Sequence, residues 1–187
     1  MTSLTIRERQ PADLPGCVDL LAEVHRVDGY PLNWPSDPTR WLCPPELWHA
    51  WVAAADDGAL VGHLAAHRTP PTAHDAPARA SVELARLFVA PDFRRRRVGA
   101  NLLRQAREWA ADRRLGLILE VVDQGRSPAV ALYEREGWRH AATETASWCA
   151  PDGSAVTLRR FVLPVADPQA RDGPAEGDPA EGEPASH

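Results

Sequence analysis

Apolar residues recur along the chain with two periods, and the changes between them mark out its elements. Leu4-Thr5-Ile6-Arg7-Glu8 has the character of a short strand, and Pro11 then suits the first turn of a helix, where a missing N–H costs nothing. Leu14, Val18, Leu21 and Ala22 follow at helical spacing and are expected to face a core. From Asp28 onward Gly29, Pro31, Pro35, Pro38, Pro44 and Pro45 interrupt any long helix, leaving a proline-stiffened connector that carries Tyr30, Trp34 and Trp41. These rings either line a pocket or pack down as a lid on the core, and the pattern admits both.

Two β-prone runs, residues 51–54 and 60–66, flank Asp56-Asp57-Gly58 and predict a hairpin. His63 and His67 share a face of the second strand, without the third ligand that a metal site needs. Three prolines make residues 69–79 a loop, and Ser81–Val89 is the next strand, stopped by Pro91. Residues 98–114 predict a helix with Leu102, Leu103, Ala106, Trp109 and Ala110 on its apolar face, followed by a buried strand over 117–122. Ser127-Pro128 opens a short helix through Arg135 that Gly137 closes, and residues 138–149 and Ala155–Leu163 flank Asp152-Gly153 as a last hairpin.

At 187 residues and 44% hydrophobic content the chain can bury one sizeable core, which predicts a single domain over 1–163. Residues 164–187 are near-repetitive in Pro, Gly, Ala and Glu and are expected to be a disordered acidic tail. With six acids and one arginine the tail accounts for the whole formal charge of −5, so the domain is neutral. A neutral domain does not steer polycations, and one arginine run, Arg94 to Arg97, is thin support for a nucleic-acid surface. Cys17, Cys43 and Cys149 lack the spacing of a zinc site, so they are expected to be ordinary thiols and no metal is implied. The longest apolar stretches fall short of the ~20 residues that span a bilayer, and residues 1–7 lack a signal-peptide apolar segment, so a cytoplasmic protein without a membrane partner is expected.

The chemistry concentrates between Leu87 and Leu103, where a strand, an arginine-rich loop and a helix N-terminus meet. Unpaired N–H groups at the helix start, the helix dipole and the missing Cβ of Gly99 make this a site for a pyrophosphate. The stretch Arg94-Arg95-Arg96-Arg97-Val98-Gly99 resembles the central motif of the GNAT N-acetyltransferase superfamily, a strand followed by Arg/Gln-x-x-Gly-x-Gly/Ala at a helix start. Ser127-Pro128-Ala129-Val130-Ala131-Leu132-Tyr133-Glu134-Arg135-Glu136-Gly137-Trp138 is similar to a second element of that family, Asn-x-x-Ala-x-x-Leu-Tyr-x-x-x-Gly-Phe. Two positions depart from the pattern: Arg97 stands where the family usually has Gly, and Arg126 takes the place of the Asn.

The resemblance implies a mixed α/β (α+β) fold, with a mostly antiparallel central sheet of about six to seven strands flanked by about four helices. It further implies an acyl-CoA-dependent N-acyltransferase, with acetyl-CoA as acyl donor and direct transfer to the amine of a small molecule or a peptide. In that reading Arg94, Arg95, Arg96, Arg97, Val98, Gly99 and Ala100 hold the pyrophosphate, and Leu87, Phe88 and Val89 pair with the pantetheine arm. Tyr133 matches the position of an acid for the departing thiolate, and its phenol can donate at neutral pH. Glu83 is the candidate base, sharing a face with Val89 if the strand is regular, and Glu120 is its rival. Tyr30, Trp34 and Trp41, with the loop after Thr69, are the expected acceptor-binding segments, and a bulge before Pro91 is expected to open the cofactor cleft. Two other readings stay open: a degenerate acyl-CoA-binding sensor or scaffold, suggested by Arg97 and Arg126, and an interaction module using the tail. A homodimer is compatible with the sequence, which marks no apolar patch for one.

Overall fold

The computed structural model describes residues 4–69, 80–123 and 127–163, so the expectations for the loop after Thr69, for Arg126 and for the tail lie outside the described residues. Strand β1 is Leu4–Glu8 and leads through a short 3-10 turn, Pro11–Asp13, into helix α1, Leu14–Asp28. Asp13 fastens this corner: Arg7 donates to both of its oxygens at 2.6 and 2.7 Å, and the Gln10 N–H donates to Oδ2 at 2.6 Å. The buried stripe of α1 is Cys17, Leu20, Leu21 and Val24, whereas Ala22 is exposed. The stripe runs over Cys17, which packs as a small hydrophobe and is not counted by a search for aliphatic residues. Gly29, at φ +67°, ends α1 in a left-handed cap.

A five-residue helix α2, Pro38–Leu42, is the only helix among the described residues of the connector, and Asp37 caps it by accepting from the Arg40 N–H at 2.9 Å. Strands β2, Leu47–Ala55, and β3, Leu60–Arg68, form the expected hairpin, and β4 is Ser81–Val89. Helix α3, Val98–Asp112, stops two residues before the expected 114 because Arg114 turns left-handed, at φ +56°, to feed β5, Gly116–Val122. Helix α4, Pro128–Arg135, starts at Ser127, whose hydroxyl accepts from the Ala129 N–H, and β6, Arg139–Cys149, and β7, Ala155–Leu163, close the domain.

The seven strands form one sheet in the order β1-β2-β3-β4-β5-β7-β6, in which only β4 and β5 run parallel. With four α-helices among the described residues, this is the mixed, mostly antiparallel architecture expected. Helix α3 lies on one face, close to the sheet at Gly62, where a Cβ would stand 2.9 Å from Val98 Cγ1 and 3.1 Å from Leu102 Cδ1. The connector and α2 cover the other face, where Tyr30 and Trp41 pack against the core. Among the described residues no helix is long and apolar enough to cross a membrane.

Two irregularities in β4 shape the cleft beside it. Its register against β3 runs from His63↔Phe88 to Ala65↔Ala85, three steps on β4 for two on β3, so β4 carries one extra residue. Arg86 sits in this bulge with a left-handed φ of +55°. Pairing between β4 and β5 then ends at Leu84↔Leu119, although β4 continues to Val89 and β5 to Val122. The sheet therefore splits along the last part of β4, as expected for a cleft. The bulge also changes the parity of the strand. Glu83 faces His67 and Phe88 faces His63, on one side of the sheet, whereas Val89 lies opposite Gly62 on the α3 side. Glu83 and Val89 thus occupy opposite faces, and the condition of a regular strand is not met.

Candidate active site

The bulge is held from outside by a histidine. His63 is fully buried; its Nε2 lies 3.0 Å from Arg9 Nη1 and its Nδ1 lies 2.9 Å from the Arg86 carbonyl oxygen. A guanidinium only donates and a carbonyl only accepts, so Nδ1 carries the proton and Nε2 is bare. Burial agrees with this neutral form, pushing the imidazole down to about 3. Arg9 also donates to the Leu42 carbonyl at 3.0 Å and to Cys43 Sγ at 3.0 Å, which joins the end of α2 to the bulge. Replacing His63 with Leu leaves the Arg86 carbonyl and one Arg9 N–H without partners, and a loss of about 2–3 kcal/mol in urea-measured stability is expected. Because the folded-state pKa lies below the ordinary 6.5, this part of the stability is present at neutral pH and is lost as pH falls from about 6.5 towards 3. A Leu variant within about 0.5 kcal/mol of wild type sinks the assignment.

On the same face Tyr30 meets Trp41 and Phe88, with ring centroids 6.3 and 6.4 Å apart. Trp34 does not join them. It is 41% exposed and packs 4.9 Å from His25, at the end of α1. Next to it, Asn33 Nδ2 donates to the Cys149 carbonyl at 2.8 Å and fastens the connector to the tip of the β6–β7 hairpin. Glu83 is half-buried between His67 on β3 and Ile118 on β5, and its carboxyl is pushed up, first by burial and then by the charge of Glu120. Glu120 itself is taken up by Arg160, whose Nη2 and Nε donate to Oε1 at 2.7 and 3.1 Å. Of the two carboxylates, Glu83 is therefore the better placed to exchange a proton.

The arginine loop divides its labour. Arg94 turns its guanidinium to Asp28 at the end of α1, with both Asp oxygens engaged, and Arg96 stacks 5.0 Å over Phe93. Arg95 and Arg97 take left-handed conformations, at φ +60° and +63°. Arg97 is the residue before α3, so an arginine here adopts the backbone shape that a glycine takes freely. Removing that strain outweighs the added freedom of the unfolded chain, and Arg97→Gly is expected to raise stability by about 0.5–1 kcal/mol in thermal or urea denaturation. Arg95 also lines an open groove of about 760 Å³ with Pro128, Ala131, Glu134 and Arg135, between the loop and α4. A Cβ on Gly99 would stand 3.1 Å from Leu132 Cδ2 and 3.9 Å from Val89 Cγ2, so its small size sets how closely α3 approaches α4 and the end of β4.

Tyr133 faces inward from α4 and is 7% exposed, its ring 6.2 Å from Trp138 and 6.1 Å from Phe161. Burial pushes its phenol up to about 12, so it stays protonated at neutral pH. It lies near enough to Tyr30 to raise the pKa of that phenol, which burial already pushes well above its usual value. Sequence reasoning noted His63 only for the face it shares with His67 and missed the network that joins it to Arg9 and Arg86. Only Arg86 left a local signal, a charge inside the run Leu84-Ala85-Arg86-Leu87-Phe88.

A sheet that splits beside a helix N-terminus preceded by arginines, with a buried tyrosine on the following helix, defines an acyltransferase fold. Specifically, the chain belongs to the acetyltransferase (GNAT) family, whose model matches residues 17–138. The crystal structure of the ribosomal-protein-S18-alanine N-acetyltransferase from Escherichia coli is similar at 19% identity over 87% of this chain and 94% of that one, with a TM-score of 0.65. Arabidopsis thaliana NAA60, crystallised with a bisubstrate analogue, matches at 18% identity over 86% of this chain and 98% of its own, with a TM-score of 0.69. A GCN5-related N-acetyltransferase from Kribbella flavida matches at 22% identity over 87% and 98%, with a TM-score of 0.62. At these identities the likeness is one of fold. Comparison with curated protein sequences finds no match.

Proposed function

We propose that this protein is an N-acetyltransferase that takes acetyl-CoA as acyl donor and transfers the acetyl group directly to the amine of a small molecule or peptide. The observation that carries this reading is the split of β4 from β5 beyond Leu84↔Leu119, beside the N-terminus of α3. Past that point the β4 edge has no β5 partner, so Leu87, Phe88 and Val89 can offer backbone groups to the amides of a pantetheine arm. The first N–H groups of α3, from Val98 to Ala100, with Arg95 and Arg97 beside them, suit a pyrophosphate. Arabidopsis thaliana NAA60, of similar fold, has been crystallised with acetyl-CoA.

In the transfer, the amine nitrogen bonds to the thioester carbonyl carbon as the carbon–sulfur bond breaks. Glu83 receives the proton that the amine loses, directly or through water, and the Tyr133 phenol gives a proton to the leaving sulfur. Calorimetric titration with acetyl-CoA tests the donor site. Saturable binding is expected in the wild type and is expected to be lost in Gly99→Trp. Since a Trp at 99 also strikes Leu132, Arg95→Glu serves as a second control, with binding weakened about fivefold or more. A folded wild type that does not bind acetyl-CoA overturns the proposal; one that binds it is then screened for CoA release against an amine panel.

A further inference from the structure

The acetyltransferase reading leaves Arg86 without a task, yet it is among the most constrained residues of the site. Its backbone is left-handed at the bulge, and its carbonyl accepts the His63 Nδ1 proton at 2.9 Å. Its guanidinium carbon lies 4.6 Å over the Trp41 ring, and Nη1 donates to His67 Nε2. Its Nε is buried and has no hydrogen-bond partner. Among the described residues no carboxylate comes within ion-pair distance of it. Burial accordingly works against its charge, with Glu83 and Glu46 pulling the other way only at longer range.

Proteins seldom leave a partly desolvated charge without an opposite charge to meet it, because burial penalises the charged form. A guanidinium clamped between an indole and an imidazole has also lost its rotamer freedom before any ligand arrives. With Nη1 engaged and Nε enclosed, Nη2 is the guanidinium nitrogen left to donate to a carboxylate oxygen. Around it stand Trp41, Tyr30 and Phe88, and on the same face of β4, three residues away, stands Glu83. A cation and a carboxylate so arranged, with apolar rings beside them, complement a small molecule that carries an amine, a carboxylate and an apolar side chain on one carbon.

We propose that Arg86 binds a carboxylate of the acceptor, so that the acceptor class is amino acids with apolar side chains and not simple amines. This rests on the acetyltransferase reading of the same site. Matched pairs test it: L-phenylalanine with phenethylamine, L-tryptophan with tryptamine, and L-leucine with isoamylamine, which differ only in the carboxylate. Binding is measured calorimetrically on the full chain with and without saturating CoA, and acetylation is followed separately by CoA release.

The amino-acid member of at least one pair is expected to bind about ten- to a hundredfold more tightly than its amine. Arg86→Gln is expected to bring the two within about threefold, while Arg86→Lys, which keeps the charge without the fork, retains part of the preference. Circular dichroism and acetyl-CoA titration of both variants verify that the bulge and the donor site survive. Equal or tighter binding of every amine, binding of no amino acid, or a preference unchanged in a folded Arg86→Gln overturns the assignment. Wild type that binds amino acids without acetylating them removes the acetyltransferase reading and keeps the carboxylate site. Wild type that acetylates the amines and ignores the amino acids does the reverse.

Discussion

Tyr133→Phe is expected to lower kcat of the proposed acetyl transfer by about a hundredfold, with little change in acetyl-CoA affinity or in stability. The change removes one hydroxyl and leaves the ring that packs on Trp138 and Phe161, so the fold has no reason to respond. Catalysis does. A phenol pushed up to about 12 by burial stays protonated at neutral pH, so in the proposed transfer it is available to protonate the thiolate that forms as the carbon–sulfur bond breaks. Because the thiolate exists only as the bond cleaves, the loss falls on kcat and not on acetyl-CoA binding. The wild type is also expected to show no alkaline limb from this group below about pH 10, since an acid titrating near 12 is not yet deprotonated there. Steady-state kinetics with any acceptor found in the panel decides it. A Phe variant within about threefold of wild-type kcat returns Tyr133 to the role of a packed ring.

How much of this was legible in the sequence depends on whether the determining contacts are local. Asp56-Asp57-Gly58 and Asp152-Gly153 carry their turn conformations in the residues themselves, with Gly58 and Gly153 at φ +84° and +82°, and both hairpins were readable. The apolar stripe of α3 and the strand–loop–helix motif were equally local. The bulge at Arg86 was not, since no glycine marks it and a single charge within an apolar run does not reveal a change of register. What holds Arg86 left-handed includes a histidine 23 residues earlier in the chain, and Arg9, 54 residues before His63, completes the network. A one-residue bulge changes the face of every residue on one side of it, which is why Glu83 and Val89 part company although their spacing is even. Arg94 illustrates the same limit: its tether is Asp28, 66 residues away, and no loop-level motif could assign its guanidinium to α1 instead of to a phosphate.

Glu83→Gln is expected to move activity and stability in opposite directions. Burial and the charge of Glu120 hold the Glu83 carboxyl above its ordinary 4.5, so it becomes a usable base only as pH rises beyond the normal carboxylate range. The wild-type kcat/KM profile should therefore show an acid limb displaced upward from 4.5, and the Gln variant should lose that limb together with about ten- to a hundredfold in kcat. For stability the sign follows from the raised value. The folded state binds the proton more tightly than the unfolded state does, so the wild type loses stability as pH climbs through the interval between the unfolded pKa and the higher folded one. Glutamine never ionises and escapes that loss. The variant should accordingly be more stable than the wild type at neutral pH, with the difference closing at pH values below about 4.5. A residue that merely fills space between β3 and β5 loses both quantities when altered. A slower, firmer protein at pH 7, converging in stability with the wild type in acid, is the signature of a carboxylate kept at a cost to the fold because the amine needs a base; a variant that keeps full activity transfers that role to water or to another group.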